Sequence, residues 1–87
     1  MVQGSTTNEL FRQGLIPVAD VHSAADAFLT DPQLNLHPLG THYLLDVAAA
    51  VGADELVRLI FHDPSIALPV KQAAVRTAIL LARPQTR

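Results

Sequence analysis

Eighty-seven residues suffice for one domain with one modest core, not two. An apolar fraction of 49% against 16% charged excludes a disordered, solvating chain, and a net charge of −2 removes any global attraction for nucleic acid or anionic membrane. The absence of cysteine excludes disulfide frameworks and thiolate zinc sites.

The first residues, Met1-Val2-Gln3-Gly4-Ser5, lack the basic and apolar runs of a signal peptide and read as a flexible N-terminus or a cloning scar. No stretch approaches the roughly 18 consecutive apolar residues that span a bilayer. The expectation is a cytoplasmic protein without a membrane segment. Alanine and leucine, both strong helix formers, are the commonest residues, and only Phe11, Phe28, Phe61 and Tyr43 are aromatic. That balance predicts an all-α fold.

Thr6-Thr7-Asn8-Glu9 matches a capping box, so a short N-terminal helix is expected to run through Leu10 and Phe11 and stop at Gly14. Past Pro17, Val18, Val21, Ala25, Phe28 and Leu29 recur at helical spacing, opposite Asp20, His22, Ser23 and Asp26. This amphipathic helix is expected to end before Asp31-Pro32. Residues 31–40 read as a connector in which Leu34, Leu36 and Leu39 pack down. Thr41 then caps a helix from His42 to about Val51, with Gly52 as its stop. Asp54 caps another from Glu55 to Phe61, and the last runs from about Val70 to Arg83. The four main helices form a compact bundle over residues 6–84, and residues 85–87 fray.

Residues Phe28 to Leu36 align without gaps with Ile60 to Leu68, each segment ending a helix, turning at Asp-Pro and then placing apolar residues two apart, which reads as two helix, Asp-Pro turn, helix units. Two copies fall short of the three or so that stable repeat arrays need.

In the last helix Lys71, Gln72, Arg76 and Arg83 occupy one narrow stripe at about 100° per residue, and aliphatic side chains cover most of the rest. The helices from Glu55 and from His42 repeat the pattern. A helix apolar over more than half its circumference needs neighbours on two sides, and a domain this small gives one helix that position. Three in succession imply surplus apolar surface, which usually marks an interface. The expected function is therefore a small protein–protein interaction module, a homodimer or an accessory or adaptor subunit. Leu56, Ile60, Val75, Ile79 and Leu80 are the expected interface, with Arg58, Lys71 and Arg76 at its rim.

Other chemistry is sparse. His22 and Asp26, and likewise His42 and Asp46, lie four apart, so two helices would each present an imidazole beside a carboxylate. Helical metal sites ordinarily bring more carboxylates, and the expectation is no metal and no cofactor. Ser5, Ser23 and Ser65 sit in no Gly-x-Ser-x-Gly setting, so no enzymatic activity is expected.

Two family resemblances carry functional implications. Leu45-Asp46-Val47-Ala48-Ala49-Ala50-Val51-Gly52-Ala53 resembles the first helix and turn of a bacterial helix-turn-helix, implying a DNA-binding regulator as an alternative. Arg58 stands where that family places an apolar residue, and the would-be recognition helix has few polar groups for phosphates and bases. Asp63-Pro64-Ser65 followed by Val70-Lys71-Gln72-Ala73-Ala74-Val75 resembles HEAT-type helical repeats, which implies a protein-binding scaffold. A small folded precursor or regulatory protein recognised by an enzyme is a further alternative.

Overall fold

The computed structural model describes residues 5–33 and 36–86. Helices α1 (Thr7–Arg12) and α2 (Val18–Thr30) lead into strands β1 (Leu36–Leu39) and β2 (Tyr43–Asp46). Helices α3 (Val47–Ala53), α4 (Glu55–His62) and α5 (Leu68–Leu81) follow, and the short strand β3 (Gln85–Thr86) closes the chain. Among the described residues the fold is mixed: five helices beside a three-stranded antiparallel sheet of order β1-β2-β3. The all-α, helical-bundle expectation is thereby corrected.

The correction is confined to the middle of the chain. The expected helix start at Thr41 and His42 is instead the turn of a hairpin that pairs Leu39 with Tyr43 and His37 with Leu45. The cap is Asp46 and not the expected Thr41: its Oδ1 accepts the Ala49 N–H at 3.0 Å, so the helix begins at Val47. The residues before it take the alternation of a half-buried strand. His37, Leu39, Tyr43 and Leu45 point inward, with Leu39 and Leu45 buried, while Leu36, Pro38 and Asp46 are exposed. Leu36 is thus not packed down as expected, and Leu34 lies outside the described residues. Pro38 is tolerated because β1 is an edge strand, whose missing N–H disrupts no central ladder.

The two Asp-Pro turns share their local chemistry and nothing further. Asp31 Oδ1 accepts the Gln33 N–H at 3.1 Å, and Asp63 Oδ1 accepts the Ser65 N–H at 2.9 Å. After the first the chain becomes a strand; after the second it becomes α5, where Pro69 stands in the first turn and costs no helical hydrogen bond. The proposed pair of helix-turn-helix units is corrected accordingly. At the C-terminus, Gln85 and Thr86 pair with Leu44 and Tyr43 where fraying was expected. Arg87 and the expected flexible residues Met1–Gly4 lie outside the described residues.

The flanking elements are fixed by polar contacts. The Thr6 capping box is complete, with the Thr6 N–H donating to Glu9 Oε1 at 2.8 Å and the Glu9 N–H to Thr6 Oγ1 at 3.2 Å. These bonds to Thr6 favour the charged carboxylate and hold the Glu9 pKa below its ordinary value. Buried Thr7 donates both its N–H, at 2.8 Å, and its hydroxyl, at 3.2 Å, to the Ala82 carbonyl, tying the start of α1 to the end of α5. Gly40, at φ 65°, donates its N–H to Asp20 Oδ2 at 2.6 Å and so pins the hairpin to α2.

The core gathers around α5, which packs against α1, α2, α3 and α4. Val75, Ala78 and Ile79 on α5 meet Val21, Ala24, Ala25 and Phe28 of α2, with Leu10, Ile16, Leu39, Leu45, Val47, Val51 and Val57 completing the buried set. Fully buried Ala24 and Ala25 let the α2 and α5 backbones approach closely. The broad apolar circumference of α5 is therefore largely consumed within the chain. No helix among the described residues is long and apolar enough to cross a membrane.

Candidate functional site

Of the nine large apolar side chains exposed among the described residues, the three most exposed, Leu56, Leu59 and Leu81, collect where α3, α4 and the end of α5 meet. Helix α4 turns Val57 into the core and lays Phe61 against Phe28 of α2, with ring centroids 5.1 Å apart. At about 100° per residue this orientation forces Leu56 and Leu59 toward solvent, and they are 66% and 64% exposed. Leu81, in the last turn of α5, is 62% exposed. These three leucines wall an open groove of about 670 Å³, floored by Ala50 and Ala53 of α3 and by Ala78 and Ala82. Asp54 and Glu55 stand at its lip.

The groove owes its shape to local sequence. Asp54 both ends α3 and caps α4, its Oδ1 accepting the Val57 N–H at 3.1 Å, so the chain turns between two helices within one residue. Lys71 near the start of α5 sits 5.9 Å from the Phe61 ring at the end of α4, whereas Leu81 at the end of α5 shares the groove with Leu56 at the start of α4. The two helices thus run in opposite directions. Ala78 of α5, Ala82 just after it, and Ala50 and Ala53 of α3 line the trough beside α4, which larger side chains there would fill.

The five expected interface residues do not share this surface. Leu56 lies in the groove and Ile60 is half-buried. Val75 and Ile79 are 0% exposed and serve the core. Leu80, half-buried, faces the opposite side of α5, in a small hollow with Phe11, Val18 and Val21. Of the rim residues, Lys71 lies over Phe61 and Arg76 Nη1 is 3.3 Å from His22 Nδ1, so both cations make contacts within the chain. Arg58 is exposed, beside Glu55, Leu59, His62 and Asp63 in a hollow of about 360 Å³ that adjoins the groove. Leu59 and Leu81 are the members that the sequence reading missed. For Leu59 the signal was its spacing of three from Leu56, which puts the two on adjoining positions of one helix.

The weak metal candidates are dispersed. His22 and Asp26 do lie on one face of α2, but Asp26 Oδ1 accepts from Gln72 Nε2 at 3.4 Å and His22 meets Arg76, a polar seam between α2 and α5. His42 lies in the hairpin turn, and Asp46 is occupied in capping α3. Among the described residues no three His, Asp or Glu side chains gather into a group that would hold a metal ion. Asp63, whose carboxylate accepts from the Ser65 hydroxyl and N–H, has its pKa lowered by those bonds and works as a turn former.

No protein-family model matches the chain, and no curated protein or solved structure matches it either.

Proposed function

We propose that this chain is a small protein–protein interaction module of the cytoplasm, a homodimer or an accessory subunit, that binds through the α4 face and the end of α5. One observation carries the reading: three leucines, each more than 60% exposed, converge on a single alanine-floored groove. Scattered exposed leucines are ordinary, whereas a clustered set beside a concave apolar surface is the usual form of a binding site. Covering such a surface stabilises a complex by about 25 cal/mol per Å² of apolar area, before the entropic cost of association. The cysteine-free composition is compatible with a reducing compartment.

A photo-crosslinking residue at Leu59, compared with one at exposed Ser23 on α2, tests this reading. Illumination in cells should give a discrete adduct from position 59 and none from position 23. Equal or absent labelling from the two positions defeats it.

A further inference from the structure

We infer that a second site, between α1, α2 and α5, binds a small apolar carboxylic acid as its anion. The site shares no residue with the α4 groove, so the two readings stand or fall separately. Its walls are Phe11 of α1, Val18 and Val21 of α2, and Leu80 of α5, around a hollow of about 140 Å³. His22 and Arg76 supply the polar groups of the lining.

The seam between α2 and α5 places those polar groups at one end. Asp26 meets Gln72 and His22 meets Arg76, so the two helices run antiparallel. The next turn along brings Val18 and Leu80 together. The polar and apolar ends are therefore about one helical turn apart, roughly 5.4 Å. Val21 is buried whereas Phe11 and Val18 are exposed, so the hollow opens between α1 and the start of α2.

Charge complementarity selects an anion. Arginine carries only donors, so the 3.3 Å contact makes His22 Nδ1 an acceptor, and that imidazole brings no negative charge. Asp26, the carboxylate one turn along α2, accepts from Gln72 instead. Among the described residues no carboxylate pairs with the Arg76 guanidinium. Its remaining N–H groups keep the planar fork that a carboxylate accepts in pairs. Arg76 is also half-buried, and a cation partly withdrawn from water interacts more strongly with an anion than an exposed one does.

Size selects the body of the ligand. An apolar cavity of about 150 Å³ accepts one benzene ring. The hollow is of that order, and a carboxylate attached to such a ring spans the single turn between its two ends. The ligand class is thus a monocarboxylate with a one-ring apolar body, and benzoate is its simplest member.

The test titrates sodium benzoate into the full chain at constant pH and ionic strength, followed by two-dimensional NMR. Benzyl alcohol, with the same ring and no charge, is the comparison. Benzoate should give saturable shifts at Phe11, Val18, Leu80 and the Arg76 side chain, and benzyl alcohol should bind at least about tenfold more weakly. Arg76→Gln should weaken benzoate binding by a similar factor. Val18→Asp should do the same by setting a like charge at the apolar end. It changes an exposed residue at the first position of α2, where an acidic group favours the helix, so its fold is kept even if Arg76→Gln does not fold.

Three results overturn the inference. One is the absence of saturable shifts at these residues. The second is benzyl alcohol binding as tightly as benzoate, which would leave Arg76 without a role. The third is unchanged benzoate affinity in Val18→Asp or in a folded Arg76→Gln.

Discussion

The α2–α5 seam and the α3–α4 corner are built from the same aliphatic and alanine-rich material, yet one is closed and the other open. Along the seam, α5 meets α2 on one side and α1, α3 and α4 on others, and Val75 and Ile79 are completely buried. At the corner, α4 has neighbours only beneath it, and Leu56 and Leu59 remain outside. The difference lies in position, not in composition. A helix with apolar residues around most of its girth becomes core when the topology surrounds it, and becomes a binding face when it is placed last on the outside.

The sharpest way to break this comparison is to truncate one aliphatic side chain in each region. Ile79→Ala empties volume between α2 and α5 and should cost about 2–5 kcal/mol in urea or thermal unfolding. Leu59→Ala removes a mostly hydrated side chain and should change monomer stability by no more than about 0.5 kcal/mol. Similar losses from both substitutions would mean that α4 is covered within the chain. Unfolding at concentrations low enough to disfavour association keeps the measurement on the monomer.

A second contrast concerns two glycines near the seam. Gly14 and Gly40 both have positive φ, at 78° and 65°, but their surroundings differ. A Cβ on Gly14 meets nothing within 4 Å, whereas one on Gly40 would stand 2.5 Å from the Leu15 carbonyl oxygen. Gly14→Ala should therefore cost only the left-handed penalty, about 1–2 kcal/mol. Gly40→Ala adds a backbone collision and must also move the hairpin from its bond to Asp20, so its loss of stability should exceed that of Gly14→Ala. Chemical denaturation of the pair orders them directly; equal losses would show that the hairpin is loosely held.

Residues 31–46 also show where the sequence stopped being readable. The capping box at Thr6, the stop at Gly14, and the helices from Val18, Glu55 and about Val70 rest on local periodicity and caps, and those signals are strong. The hairpin was illegible because Leu44, Leu45, Val47, Ala48 and Val51 match helical spacing, and leucine carries little preference for strand. What decides against a helix from His42 is tertiary: pairing Leu39 with Tyr43 and His37 with Leu45 puts Leu39 and Leu45 on one face of the hairpin, and both enter the core. The candidate site was half legible for the same reason. Periodicity shows how much of a helix is apolar; the packing of Val75 and Ile79 under α2, and the exposure of Leu59 and Leu81, depend on which direction each helix faces. That direction is set by contacts between distant residues, such as Phe28 with Phe61.

The smallest expected effect bears on the open corner, because α3 supplies the groove floor through Ala50 and Ala53. Asp46 caps this helix at the Ala49 N–H, whereas Thr41, the cap expected from the sequence, lies in the hairpin turn. Asp46→Ala should therefore destabilise the fold by about 1 kcal/mol, the usual cost of losing an N-cap. Thr41 is exposed in the hairpin turn, and Thr41→Ala should leave stability within about 0.5 kcal/mol of wild type. The same pair of variants separates the floor from the seam. Hydrogen exchange should quicken across Val47–Ala53 in Asp46→Ala, while amides of α5 around Ile79 keep their protection. A loss at Thr41 equal to that at Asp46 would instead place the helix start at His42 and dissolve the hairpin. Exchange quickened uniformly through α3 and α5 would show that the corner and the seam unfold as one unit, so that the groove is as rigid as the core beneath it.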